Sequence, residues 1–306
     1  MARSMKSVVV PPLTIAATLL LPAPIHGQAA TDLAVRLAGL TAVTGFERAM
    51  VDTLLASLPA ARRDRAGNAV LVLGRGEPRR LAACALDEPG YVVGGVRDDG
   101  YLTLRRVGPA PGPLYDQQLE GHRVTVFGRN GPVPGVVAVR SVHLSRGRGD
   151  ADAPFTVDSA YVDLGAASAA EVGRLGVELL APVALAKKPH RYGDGLLAAP
   201  VAAARGACAA LLAAARRRSD TAGTTVVAFV VEGRLGQRGL LTVANAEGPF
   251  QATLALGFDP PAAPGLGTVT RWALGTRYAG TAVETISLGE VEALARRVAD
   301  WLGGAE

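Results

Sequence analysis

With 306 residues, 49% of them hydrophobic and 19% charged, the chain has enough material for one large globular domain or two ordinary ones, and its composition excludes a disordered protein. Its 32 basic and 27 acidic residues give a formal net charge of +5, and aromatics are only 5%, a balance that does not describe a nucleic-acid-binding surface. Beyond the first thirty or so residues, no apolar run is long enough to cross a membrane.

At the start, Arg3 and Lys6 precede an apolar run at 8–21 that Pro11 and Pro12 interrupt, and small residues lead up to Ala29. This pattern reads as a secretory signal over residues 1–29 with cleavage near Ala29, since the run is too short and too broken to serve as an anchor. The mature chain is then exported, periplasmic or secreted, and free of the membrane. Losing Arg3 and Lys6 lowers the basic count from 32 to 30 against 27 acids, a net charge of +3.

Thr44 and Glu47 have capping-box spacing ahead of Met50, Val51, Leu54, Leu55 and Leu58, which recur on one helical face. Strands are predicted over 70–73, 80–86 and 91–96, the second almost continuously apolar as in a buried sheet. Asp98-Asp99-Gly100 opens a stretch of short strands at 101–105, 123–127, 136–139 and 161–164. Turns such as Pro111-Gly112-Pro113 and Asn130-Gly131-Pro132 divide them, which predicts a small β-barrel or sandwich. Helical patterning returns after Tyr192, with Leu196, Leu197, Val201, Cys208, Leu211 and Leu212 in an alanine-rich run. Arg216-Arg217-Arg218 suit the negative end of that helix. Strands at 225–231 and 254–258 follow, and Ser287 with Glu290 caps a last helix whose stripe is Val291, Leu294, Ala295, Val298, Trp301 and Leu302.

Buried strands alternating with helices predict an α/β architecture, made from residues 30–95 and 189–306 and interrupted by a β-rich insert at 96–188. Cys84 lies in an apolar strand pattern and Cys208 among alanines, so two buried free thiols are expected, although export would permit a disulfide. His122, His143 and His190 fall in no metal-spacing motif. No nucleophile elbow, phosphate-cradling loop or His-Glu-x-x-His helix is present.

Two segments carry the chemistry: Cys84-Ala85-Leu86-Asp87-Glu88-Pro89-Gly90 and Arg277-Tyr278-Ala279-Gly280-Thr281-Ala282-Val283-Glu284. They resemble the first and last metal-site motifs of the deblocking or glutamyl aminopeptidases (the tetrahedral TET aminopeptidases, peptidase family M-forty-two), which read Ala-His-Met-Asp-Glu-Val-Gly and Arg-Tyr-Ile-His-Thr-Pro-x-Glu. Val43-Thr44-Gly45-Phe46-Glu47 and several phrases of the insert resemble the family as well. The resemblance implies a three-layer α/β/α sandwich of the zinc exopeptidase type with an inserted, small β-barrel-like domain used in assembly. It also implies two zinc ions bridged by a carboxylate. Here Ala85 and Gly280 stand at the histidines, and Gly233 and Arg234 stand at the adjacent glutamates that supply the base and a ligand. Alanine and glycine have no side-chain donor for zinc, and a guanidinium repels a dication.

By the same resemblance Asp194 matches the bridging aspartate and Asp87 the aspartate that orients the first histidine; Glu232 and Asp259 lie near, but off, the register of the remaining acids. With Glu88, these are the candidates left for metal binding, and Glu232 is the candidate base. An all-carboxylate set suits magnesium, calcium or manganese better than zinc. The competing reading makes these acids turn and cap residues at strand ends. From Asp259 the chain reaches Arg277 in fewer than twenty residues, which implies that a strand and helix walling the family's cleft are missing. The expected function is that of an exported, non-catalytic relative with a peptide- or partner-binding role and no cofactor. The alternatives are a divergent metal-dependent aminopeptidase holding one or two divalent cations (Zn, Mn or Mg), or a scaffold subunit of an oligomer, mixed with an active relative or a homo-oligomer assembled through the β-insert.

Overall fold

The structure, a computed structural model, describes residues 29–138, 154–186, 188–218 and 221–304. The expected signal segment lies outside the described residues apart from Ala29, and so does His143.

Helices α1 (Ala30–Gly39) and α2 (Arg48–Ser57) lead into strands β1 (Arg62–Arg63), β2 (Ala69–Gly74) and β3 (Arg79–Ala85). The chain then builds a closed barrel from β4 (Gly90–Val96), β5 (Leu102–Val107), β6 (Arg123–Gly128), β7 (Gly131–Val137), β8 (Tyr161–Asp163) and β9 (Pro182–Leu185), in the order β4-β5-β8-β7-β6-β9. The short helix α3 (Ala169–Arg174) lies between β8 and β9. It returns through β10 (His190–Tyr192), β11 (Leu196–Ala198), α4 (Ala202–Arg216), β12 (Thr224–Val230), α5 (Arg238–Glu247), β13 (Ala252–Leu256), β14 (Thr268–Trp272), β15 (Thr285–Ser287) and α6 (Leu288–Gly303).

The main sheet has the order β1-β2-β12-β3-β13-β14. Its centre, β12-β3-β13-β14, is parallel, while β2 runs antiparallel to β12. β3 and β12 are neighbours although the whole barrel separates them in sequence, so the barrel is an insertion at the end of β3. Every residue of β12 is buried, which explains its unbroken apolar pattern. One face of the sheet, with Ala82, Cys84, Phe229 and Leu254, packs on α1, α4 and α6. The other, with Leu81, Ala83 and Val230, packs on Leu240 and Val243 of α5. A second, three-stranded sheet is ordered β10-β11-β15.

Several expectations shift. The expected boundary leaves residues 90–95 with the flanking domain, but β4 pairs with both β5 and β9 and so belongs to the barrel. The turn read at Asn130-Gly131-Pro132 runs straight into β7. Pro132 and Pro134 pair with β6, and β8 meets β7 only at Val136 and Val137, so the prolines occupy the stretch of β7 that needs no second row of hydrogen bonds. Leu196 and Leu197, read as helical, form β11 between β10 and β15; Pro200 keeps the residue before it out of helical geometry, and α4 begins at Ala202. The connection from Asp259 to Arg277, expected to lack a strand and helix of the family's cleft, contains one strand, β14, paired with β13, and no helix.

The free-thiol expectation is overturned. Cys84 on β3 and Cys208 on α4 form a disulfide with a Cα–Cα distance of 5.4 Å, across 124 residues of sequence. The alanine face of α4 brings the helix down onto the sheet until the two buried cysteines meet. Gly206 belongs to the same close packing: a Cβ there would lie 2.6 Å from Leu274 Cδ1 and 2.7 Å from Ile286 Cδ1.

Candidate functional site

At the end of β3 the chain leaves the sheet as Leu86-Asp87-Glu88-Pro89 before entering the barrel, and both acids are buried, Asp87 at 6% exposure and Glu88 at 2%. Buried carboxylates need donors. Asp87 Oδ2 accepts the Thr44 hydroxyl and the Arg234 backbone N–H, both at 2.8 Å. Glu88 accepts the Ala42 N–H at 3.1 Å and pairs at 2.9 Å with Arg205 of α4, a guanidinium with no exposed surface that also donates to the Leu86 carbonyl. Glu47 Oε1 accepts the N–H groups of Gly45 (3.0 Å) and Glu232 (2.9 Å). Burial pushes the Glu47 carboxyl above its usual value, with the Asp87 charge adding to the rise.

Thr44 and Glu47 therefore do not form the capping box that their spacing predicts. Glu47 is itself the N-cap residue of α2 and makes no side-chain cap bond. Both side chains are taken by the strand ends across the fold. The cap predicted at Ser287 is present, with its hydroxyl accepting the Glu290 N–H at 3.4 Å.

The four positions where the resemblance places lost ligands or base form two neighbouring pairs, linked through the Gly233-Arg234 peptide. A Cβ built on Gly233 would lie 3.3 Å from Ala85 Cβ and 2.6 Å from Asp87 Oδ1. Arg234 and Gly280 both line a cavity of about 410 Å³ between the α/β domain and the barrel. Glu88 and Glu284 reach it from the α/β side, Tyr91, Tyr115 and Gln118 from the barrel side. Gly280 has a positive φ of 73°, and its N–H donates to Glu284 Oε2 at 3.0 Å; Glu284 Oε1 accepts the Ala203 N–H, at the start of α4, at 2.8 Å. Tyr115 donates a long hydrogen bond to the Pro89 carbonyl (3.5 Å), and its ring stacks on Tyr91, whose hydroxyl donates to Asp116 at 3.0 Å. Burial drives both phenols well above their usual range, so each stays protonated as a donor.

The candidate acids are not brought together. Asp194 is exposed at the turn between β10 and β11, where its neighbours Gly193 and Gly195 both have positive φ. Asp259 is exposed beyond β13 and pairs with Arg271. Glu232 would have needed a bulge had the strand continued through it. Instead β12 ends at Val230, Glu232 has a φ of 53°, and its carboxylate pairs with Arg238 at 3.3 Å. Of the candidates, Glu88 lines the cavity but is paired with Arg205, and Asp87, its neighbour in sequence, has both donors to its Oδ2 supplied by the protein. Of the histidines, His122 is exposed and His190 stacks on Tyr192.

A divalent pair does not fit the residues present. Ala85 and Gly280 offer no side-chain donor, Arg234 adds a positive charge, and a glutamate at 233 would meet Asp87 at its first side-chain atom. Among the described residues, no three His, Cys, Asp or Glu side chains gather where they could hold a metal ion.

Read alone, the sequence assigns none of these roles to Glu284 or Glu47, though both lie in quoted motifs, and does not single out Arg205 or Tyr115 at all. Arg205 left one signal, a lone charge in an otherwise Ala, Gly and Cys helical face. Glu284 left another, as the last residue of the quoted motif. Tyr115 left none.

The M42 glutamyl aminopeptidase model matches residues 67–261. SgcX of Escherichia coli (strain K12) is 31% identical over 163 residues, 51% of this chain and 42% of that protein. The lysyl aminopeptidase of Pyrococcus furiosus is 30% identical over 135 residues, 44% of this chain and 38% of that enzyme. The chain thus spans about two-fifths of the length of these curated relatives. In fold it is similar to the TET1 peptidase of Pyrococcus horikoshii, described as assembling into a tetrahedron or a large octahedral shell. The TM-score is 0.80 at 20% identity, covering 90% of this chain and 100% of that one.

Proposed function

We propose, for a chain that belongs to the M42 glutamyl aminopeptidase family, that it is a non-catalytic relative which binds peptide in the cavity between its two units. The observation that carries the reading is the set Ala85, Gly233, Arg234 and Gly280. Arg234 and Gly280 line the cavity and Ala85 lies against Gly233, the residue before Arg234, yet the four supply no metal donor and no base. The sheet, with α4 on one face and α5 on the other, is read as the three-layer sandwich of the zinc exopeptidase type. Residues 1–29 direct export, a reading supported by the Cys84–Cys208 bridge, since structural disulfides persist in oxidising compartments.

Metal analysis of the purified protein, joined to an aminopeptidase assay with added zinc, cobalt and manganese, tests this. The expected result is no stoichiometric metal and no release of N-terminal residues. Metal-dependent release would instead establish a divergent aminopeptidase.

A second reading, homo-oligomerisation through the barrel, is supported by the likeness to an assembling TET1 peptidase. It is supported also by exposed apolar side chains on the barrel, among them Val136, Leu179 and Leu180. Light scattering of the mature chain would return a mass well above the monomer if it holds, and the monomer mass if it fails.

A further inference from the structure

The cavity wall carries two charges of opposite sign, and neither has a side-chain counter-ion among the described residues. Arg234 has its backbone fixed by Asp87, but among the described residues its guanidinium pairs with no carboxylate. Arg234 and Tyr115 line the same cavity, and the Arg234 charge lowers the Tyr115 phenol pKa against the stronger effect of burial. Glu284 is buried and held by two backbone N–H groups, from Ala203 and Gly280. Among the described residues it has no side-chain cation. Glu88, the third charge on the wall, differs from both because it is paired with Arg205. A charge partly removed from water favours a partner of opposite sign, and here the partners would have to come from a ligand.

Resting on the peptide-binding reading above, we infer that the cavity takes a small zwitterion, a free amino acid or a di- or tripeptide. Its carboxylate meets Arg234 and its ammonium meets Glu284. The volume of about 410 Å³ lies in the range of small-molecule sites. Tyr91, Tyr115 and Leu185 add apolar surface for a side chain. A long peptide could not present both of its ends to one cavity, so binding should weaken once the chain exceeds a few residues.

The test is isothermal titration of the purified full chain with L-leucine, Leu-Ala and Leu-Ala-Ala, then with the N-acetylated and C-amidated form of whichever binds. At least one free probe should bind saturably. Each blocking group should weaken it by roughly tenfold or more, the loss expected for a hydrogen bond to a charged group. R234Q keeps the backbone bond to Asp87, so it should fold. It should bind the free probe roughly tenfold more weakly and no longer distinguish it from the amide. N-acetylation examines the Glu284 end without altering a residue that ties the Gly280 loop to α4. The inference is overturned by absence of saturable binding to all three free probes, by equal binding of free and blocked forms, or by discrimination that persists in R234Q. Cleavage of the probes in added metal would overturn the non-catalytic reading instead, so the two failures are separable.

Discussion

Around the end of β3, acids removed from water are held by the protein itself: Asp87 by Thr44 and the Arg234 backbone, Glu88 by Arg205 and Ala42, Glu47 by Gly45 and Glu232. On the cavity wall, Arg234 and Glu284 carry charges that find no side-chain counter-ion among the described residues. The two regions answer to different constraints. Buried polar groups must be satisfied for the chain to fold, so the framework persists. Wall residues can trade a ligand for water, so what they bind can change without losing the fold.

Removing a support should therefore damage the protein far more than altering the wall. The largest effect is expected from Arg205→Met, which strips the cation from Glu88 and should cost about 3–5 kcal/mol in urea unfolding. A loss under about 1 kcal/mol would mean that the framework is less interdependent than its geometry indicates. Next, Cys84→Ala with Cys208→Ala opens a bridge spanning 124 residues and should lower stability by about 2–5 kcal/mol. Loss of a reductant-sensitive Tm in the double variant would confirm the pairing.

Gly233→Glu probes the boundary between the regions. Its Cβ would stand 2.6 Å from Asp87 Oδ1, and the forced shift should cost about 1–3 kcal/mol without conferring zinc binding. Wild-type stability together with stoichiometric zinc would break the comparison.

The smallest effect belongs to Glu47→Gln. Both N–H groups that Glu47 accepts reach its Oε1, which an amide oxygen can replace, while the charge disappears. Because burial raises its pKa above the usual 4.5, the folded state holds that proton more tightly than the unfolded state. The glutamate's contribution to stability therefore declines as pH rises above 4.5. Thermal melts across pH should show the variant at least as stable as the parent at pH 7, with the gap closing below 4.5.

Much of this was legible locally. The apolar runs at 80–86 and 225–231 became β3 and β12, and the short strands punctuated by Pro and Gly became a closed barrel. Ser287 and Glu290 behaved as a cap because both partners lie within one turn. Thr44 and Glu47 have the same spacing, but a stronger demand from the strand ends drew them away. Asp194 could be matched by register, and Asp259 and Glu232 only near it, yet their surroundings followed from turns and from Arg238 and Arg271.

By itself, then, the amino-acid order determined the elements, their hydrophobic faces and the residues at each motif position, because periodicity and turn chemistry act over a few neighbours. Tertiary structure alone decided that Cys84 meets Cys208, that Arg205 neutralises Glu88, and that Arg234 and Glu284 line one cavity. These meetings join residues far apart in the chain, and packing of α4 and the barrel against the sheet sets their distances.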